Sequence, residues 1–300
     1  MVIKNLFKKQ KAPDVFSLDT VNPWRESLRR LFKNKSAVVG LIVFLVICFS
    51  CAFAPLLSNY DYSALNVTEV NARPSREHLF GTDKLGRDLF TRLLYGGRIT
   101  LRAAFMSTLL ATCAGAAIGL VSGYFGRRVD FLLTRIIDML AAIPNLLLII
   151  VMEIAFGWGK GYFMYAMAIS AVPKFARPVR ANVQSVMGRE FIEASRALGL
   201  GHVRIILKHV LHNVLSPLMV LMTTGFAEAI LNCTILGYLS VGVNPPTPEW
   251  GALAYAGRSN MVSNPHIAFF PCLVIVICVI SVNFFGNGLR DALDPKENSL

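Results

Sequence analysis

Six apolar runs constrain this chain more than any other feature of its sequence. They lie at about 37–57, 100–121, 131–155, 162–172, 217–239 and 266–286. A helix that crosses a bilayer needs roughly 20 consecutive, mostly apolar residues, and every run but the fourth supplies them. Backbone N–H and C=O groups in hydrocarbon must find partners inside the protein, which restricts such a chain to helices or a closed barrel. Runs this long point to helices. The fourth run is cleanly apolar only from Tyr162 to Val172, so it must extend past Pro173 or cross with little tilt. With 54% hydrophobic and 16% charged residues, the composition excludes most soluble classes. The expected fold is an all-α membrane protein with six transmembrane helices.

The distribution of charge orients the spans. The net charge is +12, and Lys4, Lys8, Lys9, Lys11, Arg25, Arg29, Arg30, Lys33 and Lys35 all precede the first span. Lys and Arg concentrated beside spans mark the cytoplasmic face, so residues 1–36 and, by alternation, the tail 291–300 are expected inside. The stretch through Leu28, Leu31 and Phe32 reads as a basic amphipathic helix on the membrane surface, attractive to anionic lipid. This placement argues against a nucleic-acid partner. The charged start is too long for a cleavable signal peptide, and Pro55 follows the small residues around Ala54, so the span 37–57 is expected to remain as an anchor. All six cysteines lie in apolar runs, where they read as packing residues rather than a disulfide framework.

Between the spans, two segments stand out. The extracytoplasmic stretch 58–98 ends in Phe80-Gly81-Thr82-Asp83-Lys84-Leu85-Gly86-Arg87-Asp88, where Thr82 or Asp83 is expected to cap a helix with Leu85, Leu89 and Leu93 on its apolar face. The cytoplasmic stretch 173–216 carries Arg189, Glu193 and Arg196 at i, i+4, i+7, one charged stripe of a short helix, with Phe191, Ser195 and Leu198 on another face. Gly199 and Gly201 then break it, and a second helical pattern leads back to the membrane. Within the spans, Gly115 and Gly119 have the spacing of close helix approach. Arg135 and Asp138 are placed to pair at i, i+3. Pro144 is expected to kink the third span, from 131 to 155. Glu228 lies in the fifth span, where an acidic residue is a functional candidate by default.

Catalytic patterns are missing from the sequence. There is no G-x-x-x-x-G-K-[ST] phosphate loop, no Ser/His/Asp constellation and no pair of catalytic carboxylates in a soluble context. His209 and His212 have metal-compatible spacing but no third ligand nearby in sequence. An enzyme or resident metal site is not expected.

Glu193-Ala194-Ser195, then Gly199, then Val210-Leu211 resembles the Glu-Ala-Ala…Gly…Ile-x-Leu-Pro loop of ABC importer permeases, with Ser195 for the second Ala and His212 for the Pro. The run Phe80–Asp88, the loop Val243-Asn244-Pro245-Pro246-Thr247-Pro248-Glu249-Trp250-Gly251 and the ending Gly288-Leu289-Arg290-Asp291-Ala292-Leu293-Asp294-Pro295 are similar to the C-type permeases of dipeptide, oligopeptide and nickel importers. The resemblance implies a type I importer permease fold over 99–290 in the bacterial cytoplasmic membrane. It implies as partners a homologous B-type permease, two ATPase subunits that hold ATP and Mg, and an extracytoplasmic solute-binding protein. It makes Arg189, Glu193, Ala194, Ser195, Arg196 and Gly199 the ATPase-coupling residues, Gly81, Thr82, Asp83, Gly86, Arg87 and Asp88 the outer family motif, and Pro245, Pro246 and Trp250 a loop facing the binding protein. Laid on the family's pattern, its span glutamate falls at Cys233, which leaves Glu228, Asn232 and Cys233 as pathway candidates. Cargo is expected to be a di- or oligopeptide, with nickel or a metal chelate as alternative. Two rivals from other classes are an ion-coupled transporter using Glu228, Asp138 and Glu153, and an anchor that only scaffolds an ATPase.

Overall fold

The computed structural model describes residues 23–157 and 162–293, with side chains from residue 26 onward. The lysines of the first 22 residues, most of the Gly157–Gly161 turn and the tail from Asp294 lie outside the described residues. Within them the fold is helical, and the only β pairing is an isolated bridge between Thr82 and Asp88.

A short helix, α1 (Pro23–Lys33), precedes the apolar α2 (Lys35–Ala52), whose start is capped by the Asn34 side chain accepting from Ala37 N at 3.3 Å. A single turn, α3 (Ala54–Leu57), and an irregular stretch then lead to the 37-residue α4 (Leu89–Phe125). Next come α5 (Arg127–Ala142), α6 (Asn145–Phe156) and α7 (Phe163–Met187). On the cytoplasmic side expected from the charges lies α8 (Glu190–Ala197). The three-residue α9 (His202–Arg204) passes through a π-helical stretch (Ile205–Val210) into α10 (Leu211–Tyr238), then a short α11 (Trp250–Gly257), and finally α12 (His266–Leu293).

Among the described residues, four helical segments are long and apolar enough to cross a membrane: Lys35–Ala52, Leu89–Phe125, His202–Tyr238 and His266–Leu293. The bent pair α5–α6 makes up to five. The bend expected at Pro144 is present and sharp: the two halves of the third apolar run meet there at 93°. Pro144 lacks an N–H and its ring disfavours helical backbone at the residue before it; Ile143 accordingly adopts φ −90°, ψ 130°. The fourth run takes the other course and continues as helix through Pro173 and Pro178 to Met187. About a third of the segment expected as a cytoplasmic loop, residues 173–187, is thus the end of α7, made polar by Lys174, Arg177 and Arg180.

α7 is seated on α4 along a glycine seam. A Cβ added to Gly119 would stand 2.7 Å from both Ala176 O and Val179 Cγ1, so the two backbones meet where only hydrogen fits. Gly115 and Gly123, one turn to either side, face Phe175 and Val183 in the same way. At the inner end α1 docks through Leu31, which is buried with Ala37 and Ala292 against Phe285 and Leu289, while Leu28 and Phe32 stay exposed.

Ion pairs join the helices where the sequence offered a local pairing. Arg135 lies over the Phe131 ring instead of pairing with Asp138, which accepts from Arg177 at 2.8 Å. Lys174, Arg177 and Arg180 fall at i, i+3, i+6 on α7 and pair with Glu228, Asp138 and Asp130 respectively.

Candidate functional site

The site expected on the cytoplasmic side is α8. Ile192 is fully buried among Tyr124, Val183, Val186, Ile205 and Val210, and Ser195 is buried beside it with its hydroxyl donating to Phe191 O at 2.7 Å. The buried face is thus Ile192 and Ser195, not the stripe Phe191–Ser195–Leu198, because Leu198 is already the C-cap and 80% exposed. The helix ends as its glycine suggests: Gly199 has φ +75°, Gly199 N donates to Arg196 O and Leu200 N to Ser195 O. One further contact fastens it to the end of α4, and another fastens the following α9 there. The Arg196 guanidinium lies over the Tyr124 ring, and Tyr124 Oη meets His202 Nδ1 at 2.8 Å. Arg189, Glu193, Ala194 and Arg196 all face out. The result is a charged face on a rigid mount that connects directly to α4, α7 and the π stretch before α10.

A cavity of about 440 Å³ opens between α4, the α5–α6 break, α7 and α10. Its polar lining includes Asn145, Lys174, Arg177, Glu228 and Asn232. Of the pathway candidates, Glu228 and Asn232 therefore line it, while Cys233 does not: it is buried, with Sγ 4.0 Å from Glu249 Oε1. Glu249 caps α11 by accepting from Ala252 N at 3.0 Å and from Thr100 Oγ1 at 2.9 Å. A loop carboxylate thus reaches the turn of α10 at which the resemblance places a span glutamate. Sequence spacing offered no sign of that contact, which joins residues 16 positions apart across a turn. Lys174 and Arg177 were legible only as positive charge near a span end.

The outer motif is a knot rather than a helix start. Asp88, not Thr82 or Asp83, caps α4, with its carboxylate accepting from Thr91 N at 2.7 Å. Asp83 instead accepts from Leu85 N at 2.8 Å and pairs with Arg87 at 2.7 Å, closing the turn 83–87 on itself. Gly86 has φ +72°, and a Cβ there would lie 1.7 Å from Asn66 O, so no other residue fits. The Thr82 hydroxyl donates to Glu69 O and accepts from Ala72 N, tying the knot to the preceding loop. Arg92 then reaches across: it donates to Tyr62 O at 2.7 Å and Pro246 O at 3.3 Å. Trp250 anchors the proline loop from beneath, fully buried with Nε1 donating to Leu93 O at 2.9 Å. Pro245 and Pro246 remain exposed above it.

His78 stands at the centre of this knot, 2.8 Å from Asp88 Oδ1 and 3.1 Å from Glu69 Oε2, with the Tyr60 ring against it. Burial pulls its imidazole down, but the hydrogen bonds and charges of Asp88 and Glu69 outweigh burial and hold it above the usual 6.5. The folded value is the higher one, so the stabilisation is complete below about 6.5 and is lost as pH rises through the folded value. Hydrogen exchange of amides 66–88, corrected for intrinsic rates, should therefore show protection that is full at acidic pH and falls as pH rises above His78's usual 6.5. His78→Gln is expected to flatten that dependence; an unchanged profile would show that His78 is not the titrating group.

Comparison with known proteins agrees with this architecture. Residues 115–299 match the family described as binding-protein-dependent transport system inner membrane component, and residues 22–74 match the N-terminal TM domain of oligopeptide transport permease C. The chain is 43% identical to the dipeptide transport system permease protein DppC of Alkalihalophilus pseudofirmus, covering 93% of this chain and 92% of that one. It is 36% identical to the oligopeptide transport system permease protein OppC of Bacillus subtilis, over 98% and 97% of the two chains. It is also 39% identical to the glutathione transport system permease protein GsiD of Pectobacterium atrosepticum, over 92% of each. Among solved structures, an inward-facing MetNI methionine ABC transporter aligns with TM-score 0.55 at 22% identity, covering 66% of this chain and 94% of that one, which speaks for the fold. By its sequence over nearly its full length and by its helical fold, the chain belongs to the family of binding-protein-dependent transport system inner membrane components.

Proposed function

We propose that this chain is one of two permease subunits of an ATP-driven importer of di- or oligopeptides in the bacterial cytoplasmic membrane. Three relatives whose names specify dipeptide, oligopeptide and glutathione transport support the peptide class. The carrying observation is the mount of α8: Ile192 and Ser195 buried inward, and Arg189, Glu193 and Arg196 presented outward. In this reading six spans, with α5–α6 as the broken third and α7 as the fourth, place both chain ends and α8 in the cytoplasm. ATP and Mg are held by two partner ATPases that dock on α8, a homologous permease completes the pathway, and a binding protein delivers cargo near Pro245 and Pro246.

The physics of the mount gives the mechanism. A partner can shift the permease between outward and inward states only by binding those states differently. Because α8 is packed on Tyr124 of α4 and follows α7 after two residues, displacement of its outer face is transmitted to the helices that line the cavity. Of the three carboxylates an ion-coupled transporter would use, Asp138 and Glu228 are engaged in ion pairs, and Glu153 is fully buried on α6.

Reconstituting the four-component membrane complex with the binding protein in liposomes tests this. Peptide uptake is expected to require ATP inside the cytoplasmic compartment and to survive a protonophore. Uptake that persists without nucleotide and collapses with the proton gradient would replace this reading with the ion-coupled one.

A further inference from the structure

The cavity between α4, the α5–α6 break, α7 and α10 holds charge that packing does not need. Lys174 and Glu228 pair across it with side chains 34% and 49% exposed, so both heads face the opening rather than the protein interior. Arg177 lies one turn beyond Lys174 on the same helix and also lines the cavity. Opposite them α6 begins at Asn145. Its N-cap residue is Pro144, which supplies no side-chain cap, and Asn145 Oδ1 is buried with no hydrogen-bond partner among the described residues. First-turn amides and a helix N-terminus carry partial positive charge. The cavity thus presents two cations along α7, Lys174 held by Glu228 of α10 and Arg177 held by Asp138 of α5, and the partial positive charge of the α6 N-terminus. A volume of about 440 Å³ falls within the roughly 300–1,000 Å³ usual for small-molecule sites.

We propose that Lys174 and Glu228 form an exchangeable ion pair that accepts a short zwitterionic peptide, an assignment that rests on the peptide-import reading above. On cargo entry the pair opens. The peptide carboxylate goes to Lys174 and Arg177, and the ammonium goes to Glu228. The Lys174–Glu228 pair is exchanged for two intermolecular ones, while Arg177 keeps Asp138 and turns its remaining N–H groups to the peptide carboxylate, so neither the empty nor the loaded cavity leaves a charge uncompensated away from water. The exchange is nearly balanced, and a transit site needs that: cargo must bind well enough to enter and weakly enough to leave. The ends of a dipeptide lie about 7 Å apart when extended, from a reach of about 3.5 Å per residue, so adjacent partners on α7 and α10 suit short peptides. Uncharged solutes gain nothing from opening the pair and meet it closed.

Two variants of the intact complex separate this role from a purely structural one, read as ATP-driven uptake of a labelled dipeptide and as co-purification of the subunits. The neutral pair Lys174→Gln/Glu228→Gln is expected to co-purify normally and to import at least ~10-fold more slowly. The swapped pair Lys174→Glu/Glu228→Lys keeps an α7–α10 ion pair but puts a carboxylate beside Arg177 and α6, where the cargo carboxylate must go. It is expected to co-purify and to remain at least ~10-fold slow. Restoration of wild-type uptake by the swap, wild-type uptake in the neutral pair, or failure of both variants to assemble would each overturn the proposal, since each makes the pair structural or idle. A wild-type complex that imports no peptide with ATP would instead overturn the peptide-import reading itself.

Discussion

Glu193→Lys is expected to lower ATP-driven uptake about 100-fold while leaving the membrane subunits assembled. Glu193 is exposed on α8 and contributes nothing to the buried contacts of Ile192 and Ser195 that hold the helix in place. Its replacement leaves the mount intact, so stability and subunit co-purification should stay near wild type. At a docked interface the substitution exchanges an attraction for a repulsion. Truncating one member of a buried charge pair at an interface costs about 2–5 kcal/mol, and each 1.4 kcal/mol is about tenfold. A loss near 100-fold lies toward the lower end of that range. Cargo-stimulated ATP hydrolysis should fall with uptake, because both pass through the same contact. Uptake that survives within a few-fold would mean that the charged face of α8 does not carry the drive.

Gly119→Val is the largest expected effect on folding. Overpacking a well-filled interior costs about 1–3 kcal/mol. Here the new atoms would meet the Ala176 carbonyl and Val179 rather than a flexible tip, which puts the cost at or above about 3 kcal/mol. For a domain of this size about 1 kcal/mol shifts Tm by 2–4 °C, so detergent-solubilised protein should melt roughly 10 °C lower. Gly201→Ala serves as the control, since nothing lies within 4 Å of its added Cβ and its φ is −66°. Equal melting of the two variants would contradict a close α4–α7 seam.

The glycine seam was legible in the sequence because it is local: Gly115 and Gly119 repeat at one helical turn, and one helix face can be read without its partner. The charged face of α8 was legible for the same reason, through Arg189, Glu193 and Arg196. What the sequence did not disclose depends on neighbours. The sequence implied a kink at Pro144 and left open whether the fourth run extends past Pro173; α5–α6 turns through 93° while α7 runs on through two prolines. The difference lies in what covers the backbone. α7 is clamped along the α4 seam by tertiary contact, which outweighs the lost donors. Asp138 was assigned to Arg135, three residues away, because sequence spacing sees only one helix; Arg177 on α7 takes it instead. The reach of Glu249 to Cys233 and the burial of Trp250 belong to the same class, set by where a loop lands on α4 and α10. Thr82 and Asp83 satisfied the pattern of a helix cap, but Gly86 and the Asp83–Arg87 pair close a turn first, and Asp88 caps the helix six residues later than the first candidate.

The claim on which the account stands is that α8 is the contact through which a cytoplasmic ATPase drives the membrane helices. A photoreactive residue placed at Leu198, 80% exposed at the end of α8, tests it most directly in membranes containing the whole complex. Irradiation is expected to join this chain to the ATP-hydrolysing subunit, with a yield that changes between nucleotide-free and ATP-bound states. Cross-linking to the solute-binding protein, or labelling of that position by a membrane-impermeant reagent added from outside, would place α8 on the wrong side and contradict the account.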